Sequence, residues 1–174
     1  MLLHEHLENK LDKQPDFLFS EFQGKQITYR EANTLSNKLA HSLISAGLKK
    51  GDRFAFLSKN SSEMAFMYYA ASKVGIVPVP LNYRLADQEW EYIVNDSQSK
   101  IMIIRGNEYC ERIQTSRDNY KHIQNFIYIE SSKFGSDWIE FYDWISDQPD
   151  EKPQIDVSAE DDVYQMYTSG TTGH

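Results

Sequence analysis

The sequence predicts an α/β protein built on a mixed, largely parallel sheet with helices on both faces. Two observations predict it. Short apolar runs start near residues 53, 76, 101 and 126, roughly every 25 residues, which is the rhythm of βαβ units. Segments with helical periodicity fill the gaps between them. Joined by right-handed crossovers, such strands run at least partly parallel and place helices on both sides.

Composition bounds the problem. The chain has 174 residues, 40% hydrophobic and 13% aromatic, which is enough for one domain with a real core and excludes a disordered polymer. A net charge of −8 and a pI near 5.1 argue against a broad nucleic-acid footprint. The single cysteine, Cys110, excludes an internal disulfide framework and suits a reducing compartment. No local pattern marks Cys110 as a nucleophile, so it reads as a partly buried bystander. No run is long enough for a membrane span, and Met1–His6 lacks the basic and apolar regions of a signal peptide. The expected location is the cytoplasm.

The elements follow in order. Leu3, Leu7 and Leu11 fall on one face of a helix over residues 2 to 13, which Pro15 stops. His4 and His6 are two apart and do not share a helical face, so they read as solvated surface rather than metal ligands. Phe17–Phe22 and Gln26–Thr28 flank Gln23-Gly24-Lys25 as a hairpin. Thr28 and Glu31 have the spacing of a capping box. The helix it opens turns Ala32, Leu35, Leu39, Leu43 and Ala46 inward and ends at Gly47. Arg53–Leu57 is a buried strand. Ser61 or Ser62 caps the next helix, with Met64, Met67, Tyr68 and Ala71 packed inward and Gly75 at its end.

Ile76–Leu81 is extended, but Pro78 and Pro80 each lack a ladder donor, which places it short or at an edge. Ala86–Asn95 is a helix with Trp90, Ile93 and Val94 inward and Asp87 and Glu89 at its positive end. Lys100–Ile104 and Phe126–Ile129 are further strands, with an exposed helix over 107–117 between them. Asp137–Ser146 reads as a helix covered in aromatic residues. Trp90, Trp138 and Trp144 all sit in helical patterns and read as core rather than ligand platforms. Residues 147–158, with Pro149 and Pro153 among acids, read as a surface linker.

The linker leads to an alternating run, Val163-Tyr164-Gln165-Met166-Tyr167, read as a strand, and then to Thr168-Ser169-Gly170-Thr171-Thr172-Gly173. Glycines let the backbone turn and approach a ligand. Successive N–H groups in such a turn form a nest for anions, and the hydroxyls add adjustable donors. The composition fits a polyphosphate. It is not a Walker A loop, because its lysine and spacing are missing. A Rossmann fingerprint after an early strand is absent as well.

Tyr167–Gly173 resembles the phosphate-binding loop of the adenylate-forming superfamily, which contains acyl-CoA synthetases, luciferases and peptide-synthetase adenylation domains. Other blocks resemble the family in the same order: Ile27–Ala32, Gly51-Asp52-Arg53, Ala70–Gly75, Pro80-Leu81-Asn82-Tyr83-Arg84-Leu85 and Tyr92–Ser97. The form of the Pro80–Leu85 block is closer to acyl-CoA synthetases of fatty or aryl acids than to peptide synthetases.

The resemblance implies the fold of the family's N-terminal subdomain and a two-step ligase. A carboxylate attacks the α-phosphate of ATP to give an acyl-adenylate and pyrophosphate, and the thiol of CoA then displaces AMP. It implies ATP, Mg²⁺ and CoA as ligands, and phosphate contacts from Thr168, Ser169, Gly170, Thr171, Thr172 and Gly173. No catalytic residue carries over, and the metal ligands stay unknown. In the family the signature continues into Pro-Lys-Gly, whereas this sequence stops at His174. The expectation is a single partial domain over 1–174, inactive alone and able to self-associate through apolar surface. The alternative is a naturally short, non-catalytic binding or scaffolding module.

Overall fold

The computed structural model describes residues 1–168. Helix α1 (Leu3–Lys13) precedes an antiparallel hairpin of β1 (Leu18–Phe22) and β2 (Lys25–Thr28). Then come α2 (Tyr29–Ser45), β3 (Arg53–Leu57), α3 (Ser62–Val74), β4 (Val77–Leu81), α4 (Asp87–Asp96), β5 (Ile101–Arg105) and α5 (Asn107–Thr115). After a short 3₁₀ turn the chain forms β6 (Asn125–Ile129), β7 (Trp138–Glu140) and α6 (Phe141–Ser146).

Strands β3 to β7 form a parallel sheet in the order β4-β3-β5-β6-β7. With the hairpin apart, the sheet is the largely parallel one expected. The strands read as continuous apolar runs because both faces are covered. Phe54, Phe56, Ile101, Ile103, Ile127 and Ile129 face one core with helices α1, α2, α3 and α6. Their sequence neighbours Ala55, Leu57, Met102, Ile104 and Phe126 face the other, under α4 and α5.

Local signals explain most boundaries. Thr28 Oγ1 accepts from the Glu31 backbone N–H at 3.2 Å, while Glu31 accepts from the Thr28 N–H at 2.8 Å, closing the capping box of α2. Gly75 ends α3 in the left-handed region at φ +65°, and a Cβ there would sit 2.9 Å from Lys50 Cγ, so only glycine fits without strain.

Several expectations need correction. Asp137–Ser146 is not one helix. Trp138–Glu140 pairs in parallel with Phe126–Tyr128, and Trp138 stacks on Phe126 with centroids 5.1 Å apart. The Glu140 side chain then accepts from the Asp143 N–H at 2.8 Å and opens α6. Helix α5 is not simply exposed either, since it buries Tyr109, Cys110 and Ile113 against the sheet.

His4 also departs from its reading as solvated surface: it is 1% exposed. It belongs to a polar network that joins α1, α2 and α3 to the irregular segment after α6. Lys73, fully buried, donates to Glu8 Oε1 at 2.6 Å and to Asn33 Oδ1 at 3.0 Å. Lys152 donates to Glu8 Oε2 at 3.1 Å and contacts His4 Nε2 at 2.9 Å. A lysine cannot accept a hydrogen bond, so Nε2 must be bare. The ring proton therefore sits on Nδ1, 2.9 Å from Ser72 Oγ.

Burial first, and then the Lys152 charge, hold the His4 imidazole below its ordinary 6.5; Lys73 adds to this, while Glu8 and Glu5 oppose it. The unfolded chain takes up this proton as pH falls through 6.5, and the folded chain does so only at lower pH. The His4 contribution to stability is thus complete above that value and declines as pH falls below it. Urea midpoints measured from about pH 8 to 5 are expected to drop more steeply for the parent chain than for His4→Gln. Parallel pH profiles would contradict the assignment.

Candidate functional site

The site has two parts: the free edge of β4 with the segment that runs along it, and the carboxyl ends of the parallel strands. Strand β4 is at the sheet edge, as its prolines predict. Pro78 directs its carbonyl outward, where it accepts from the Gln165 N–H at 3.0 Å. Pro80, two residues on, shares that side by strand alternation. Both missing N–H groups therefore point away from β3, and the β3–β4 ladder loses nothing. The outer edge is left with acceptors and few donors.

This chemistry explains a difference from the sequence reading. Val163–Tyr167 lies along the edge but is not a strand of the sheet, because an edge lacking two donors cannot sustain a ladder. Side chains hold the segment instead. Tyr164 meets Tyr68 edge-on, with centroids 6.3 Å apart. Tyr167 packs against the core under α4, and its hydroxyl donates to Asp96 Oδ2 at 2.5 Å while accepting from Gln165 Nε2 at 2.8 Å. Burial, followed by the Asp96 contact, raises the Tyr167 phenol.

The preceding stretch is tied down too. Asn37 Nδ2 donates to the Asp150 carbonyl at 2.6 Å, and Lys50 pairs with Asp161 at 2.8 Å. Residues 147–158 contain no helix or strand.

Of the loop residues singled out in the sequence, Thr168 is exposed and directly follows the anchored Tyr167. Ser169, Gly170, Thr171, Thr172 and Gly173 lie outside the described residues.

The strand order also has a switch point. From β3 the chain winds outward to β4, then crosses back over β3 to β5. Such a reversal opens a cleft at the carboxyl ends of the strands, the usual ligand position in open α/β sheets. Lys59 follows β3 and pairs with Glu108 at 3.0 Å. Its Nζ lies 5.8 Å from the Tyr83 centroid and 5.6 Å from that of Tyr109. Arg84 covers Tyr83 at 5.4 Å. The ring faces attract these cations, and Glu108 holds Lys59 in addition. The sequence reading missed this cluster; the signal that could have found it is the position of each residue just past the end of a strand or in the first turn of the next helix.

Other candidates fall away. Cys110 is fully buried, and burial pushes its thiol up to about 11, which makes it inert as a nucleophile. Among the described residues no group of three or more His, Cys, Asp or Glu side chains converges. Among the described residues no helix is long and apolar enough to cross a membrane.

Comparison with known proteins agrees with the geometry. The long-chain-fatty-acid–CoA ligase FadD13 of Mycobacterium tuberculosis is 34% identical over 151 residues, covering 86% of this chain and 28% of that protein. The 3-oxocholest-4-en-26-oate–CoA ligase of Rhodococcus rhodochrous is 27% identical, covering 97% of this chain and 31% of that protein. The chain thus spans under a third of these curated relatives. The inhibitor-bound N-terminal domain of FACL13 from M. tuberculosis superposes with a TM-score of 0.86 at 30% identity, covering 99% of this chain and 42% of that one. The anthranilate CoA ligase AuaEII, in complex with anthranoyl-AMP, shares the fold at a TM-score of 0.92 and 24% identity, over 99% of this chain and 33% of its own. The AMP-binding enzyme family matches over residues 7–174, nearly the whole chain, and to that family this chain belongs.

Proposed function

We propose that these residues are the N-terminal part of an ATP-dependent acyl-CoA ligase that activates a fatty or aryl carboxylic acid. The observation that carries the reading is the anchored segment Gln165–Tyr167, which brings Thr168, the first of the Ser/Thr/Gly-rich residues, to the edge of an AMP-binding fold. The long-chain-fatty-acid–CoA ligase at 34% identity supports the substrate class.

In this reading residues 168–173 hold the β- and γ-phosphates of ATP. The acid's carboxylate oxygen attacks the α-phosphate, the bond to the bridging oxygen breaks, and pyrophosphate leaves. Donors fixed where that charge develops lower the barrier. The thiol of CoA then displaces AMP from the acyl carbon to give the thioester. Mg²⁺ would supply charge neutralisation on the phosphates when bound.

Residues 1–174 alone do not catalyse either step. Adenylation needs the nucleotide, the acid and their catalytic groups held together, and this chain matches only 28% and 31% of the two curated ligases. Exposed Val163, Tyr164 and Met166 favour self-association of the isolated piece. A cytoplasmic place suits the single cysteine, which takes part in no disulfide.

Calorimetric titration tests the loop assignment. Residues 1–174 are expected to bind pyrophosphate weakly, and Thr171→Ala or Thr172→Ala to weaken it on the order of tenfold. Equal affinity in parent and variants would contradict the assignment.

A further inference from the structure

Asp96 breaks a local rule. It is the last residue of α4, and no basic residue stands in that turn. A carboxylate there faces the negative end of the helix dipole, which is unfavourable. Such violations are expected where a group serves something outside its own element. Its partner is distant in sequence: the Tyr167 hydroxyl, at 2.5 Å. A phenol donating to a carboxylate at that distance is a charge-assisted hydrogen bond.

The bond joins the segment along the β4 edge to the end of α4, beside the packing of Tyr167 against the core under that helix. Along the donor-poor edge of β4, Gln165 makes a backbone bond to Pro78, and its side chain donates to the same Tyr167 hydroxyl. The three residues close a short chain from β4 through Gln165 and Tyr167 to the end of α4. Beyond Tyr167, Thr168 is exposed. Among the described residues, Gln165 and Tyr167 are the anchors next to it.

We infer that Tyr167 is a positioning residue: its hydroxyl, held by Asp96 and Gln165, fixes the point from which residues 168–173 project. The inference rests on the reading that those residues grip phosphates. It assigns Asp96 a role in nucleotide binding at a distance, without contact to the nucleotide.

The test uses Tyr167→Phe, Asp96→Ala and Asp96→Asn in the full-length protein that carries these residues. Acid-dependent ATP–pyrophosphate exchange gives the KM for ATP and for the acid. Amide hydrogen exchange over residues 163–168 gives the anchoring directly. Tyr167→Phe and Asp96→Ala are expected to raise the KM for ATP by about tenfold, the scale of one lost hydrogen bond. The KM for the acid stays within about twofold, and the Gln165 amide exchanges about tenfold faster. Asp96→Asn, whose amide oxygen still accepts from the phenol but without the charge, falls between the parent and Asp96→Ala on the KM for ATP and on amide exchange. An unchanged KM for ATP in Tyr167→Phe, or a parallel rise for ATP and acid, would overturn the inference. A parent enzyme without acid-dependent exchange would instead defeat the ligase reading. Amide exchange would then decide the anchor alone, with unchanged protection in Tyr167→Phe overturning it and faster exchange supporting it.

Discussion

Trp90→Ala is expected to destabilise the chain by about 3–5 kcal/mol, the range for truncating a buried large aromatic. Trp90 is fully buried, and its indole N–H donates to the Asn82 carbonyl at 2.9 Å. The Arg112 guanidinium lies 3.9 Å from its ring centroid, and Tyr109 meets it edge-on at 6.0 Å. Removing the ring empties the core under α4 and α5. It also leaves the Asn82 carbonyl with the Leu85 N–H alone and loosens Arg112, which in turn holds Asp87 and the Leu85 carbonyl. Thermal unfolding should fall by roughly 10 °C or more. Trp90→Phe keeps most of the packing and should lose about 1–2 kcal/mol for the broken hydrogen bond. Equal, small losses in both variants would show that the indole is not a core residue.

The second large effect concerns the Lys73 network. Glu8→Ala removes the carboxylate facing a lysine with no solvent exposure, leaving Asn33 as its remaining partner. Breaking one side of a buried pair typically costs about 3–5 kcal/mol. Burial works to raise the Glu8 carboxyl, but the Lys73 and Lys152 hydrogen bonds and charges outweigh it and hold it below the ordinary value. Glu8 stays charged through the neutral range. Lys73→Met should cost no more than about 1 kcal/mol, because Met fills the same space and Glu8 keeps Lys152. The double variant is expected to recover most of the Glu8→Ala loss. Additive losses in urea denaturation would contradict the pairing.

How much of this was legible in the sequence depended on whether the signal was local. The capping box of Thr28 and Glu31, the glycine end of α3 and the prolines of β4 act over a few residues, and each appears where it was read. The strands β3, β5 and β6 were legible because burial on both faces leaves an uninterrupted apolar run. Trp138-Ile139-Glu140 was misread because a short aromatic and β-branched run fits a helix face or a strand equally well. Pairing with β6, a tertiary fact, decided it. The network of His4, Glu8, Asn33, Lys73 and Lys152 joins positions far apart, so no window of sequence holds it. The bond from Asp96 to Tyr167 has the same character. Both residues lie in blocks that resemble the adenylate-forming family, yet nothing in either block says that they touch. Of the candidate phosphate site, Thr168 is placed and Ser169–Gly173 lie outside the described residues.

The most direct measurement is acid-dependent ATP–pyrophosphate exchange by the full-length protein, with fatty and aromatic acids offered separately. The account predicts exchange only when a suitable acid is present, product thioester when CoA is added, and loss of exchange when Thr171 and Thr172 are both replaced by alanine. Exchange that needs no acid, or a folded protein that binds ATP and exchanges with none of these acids, would contradict it.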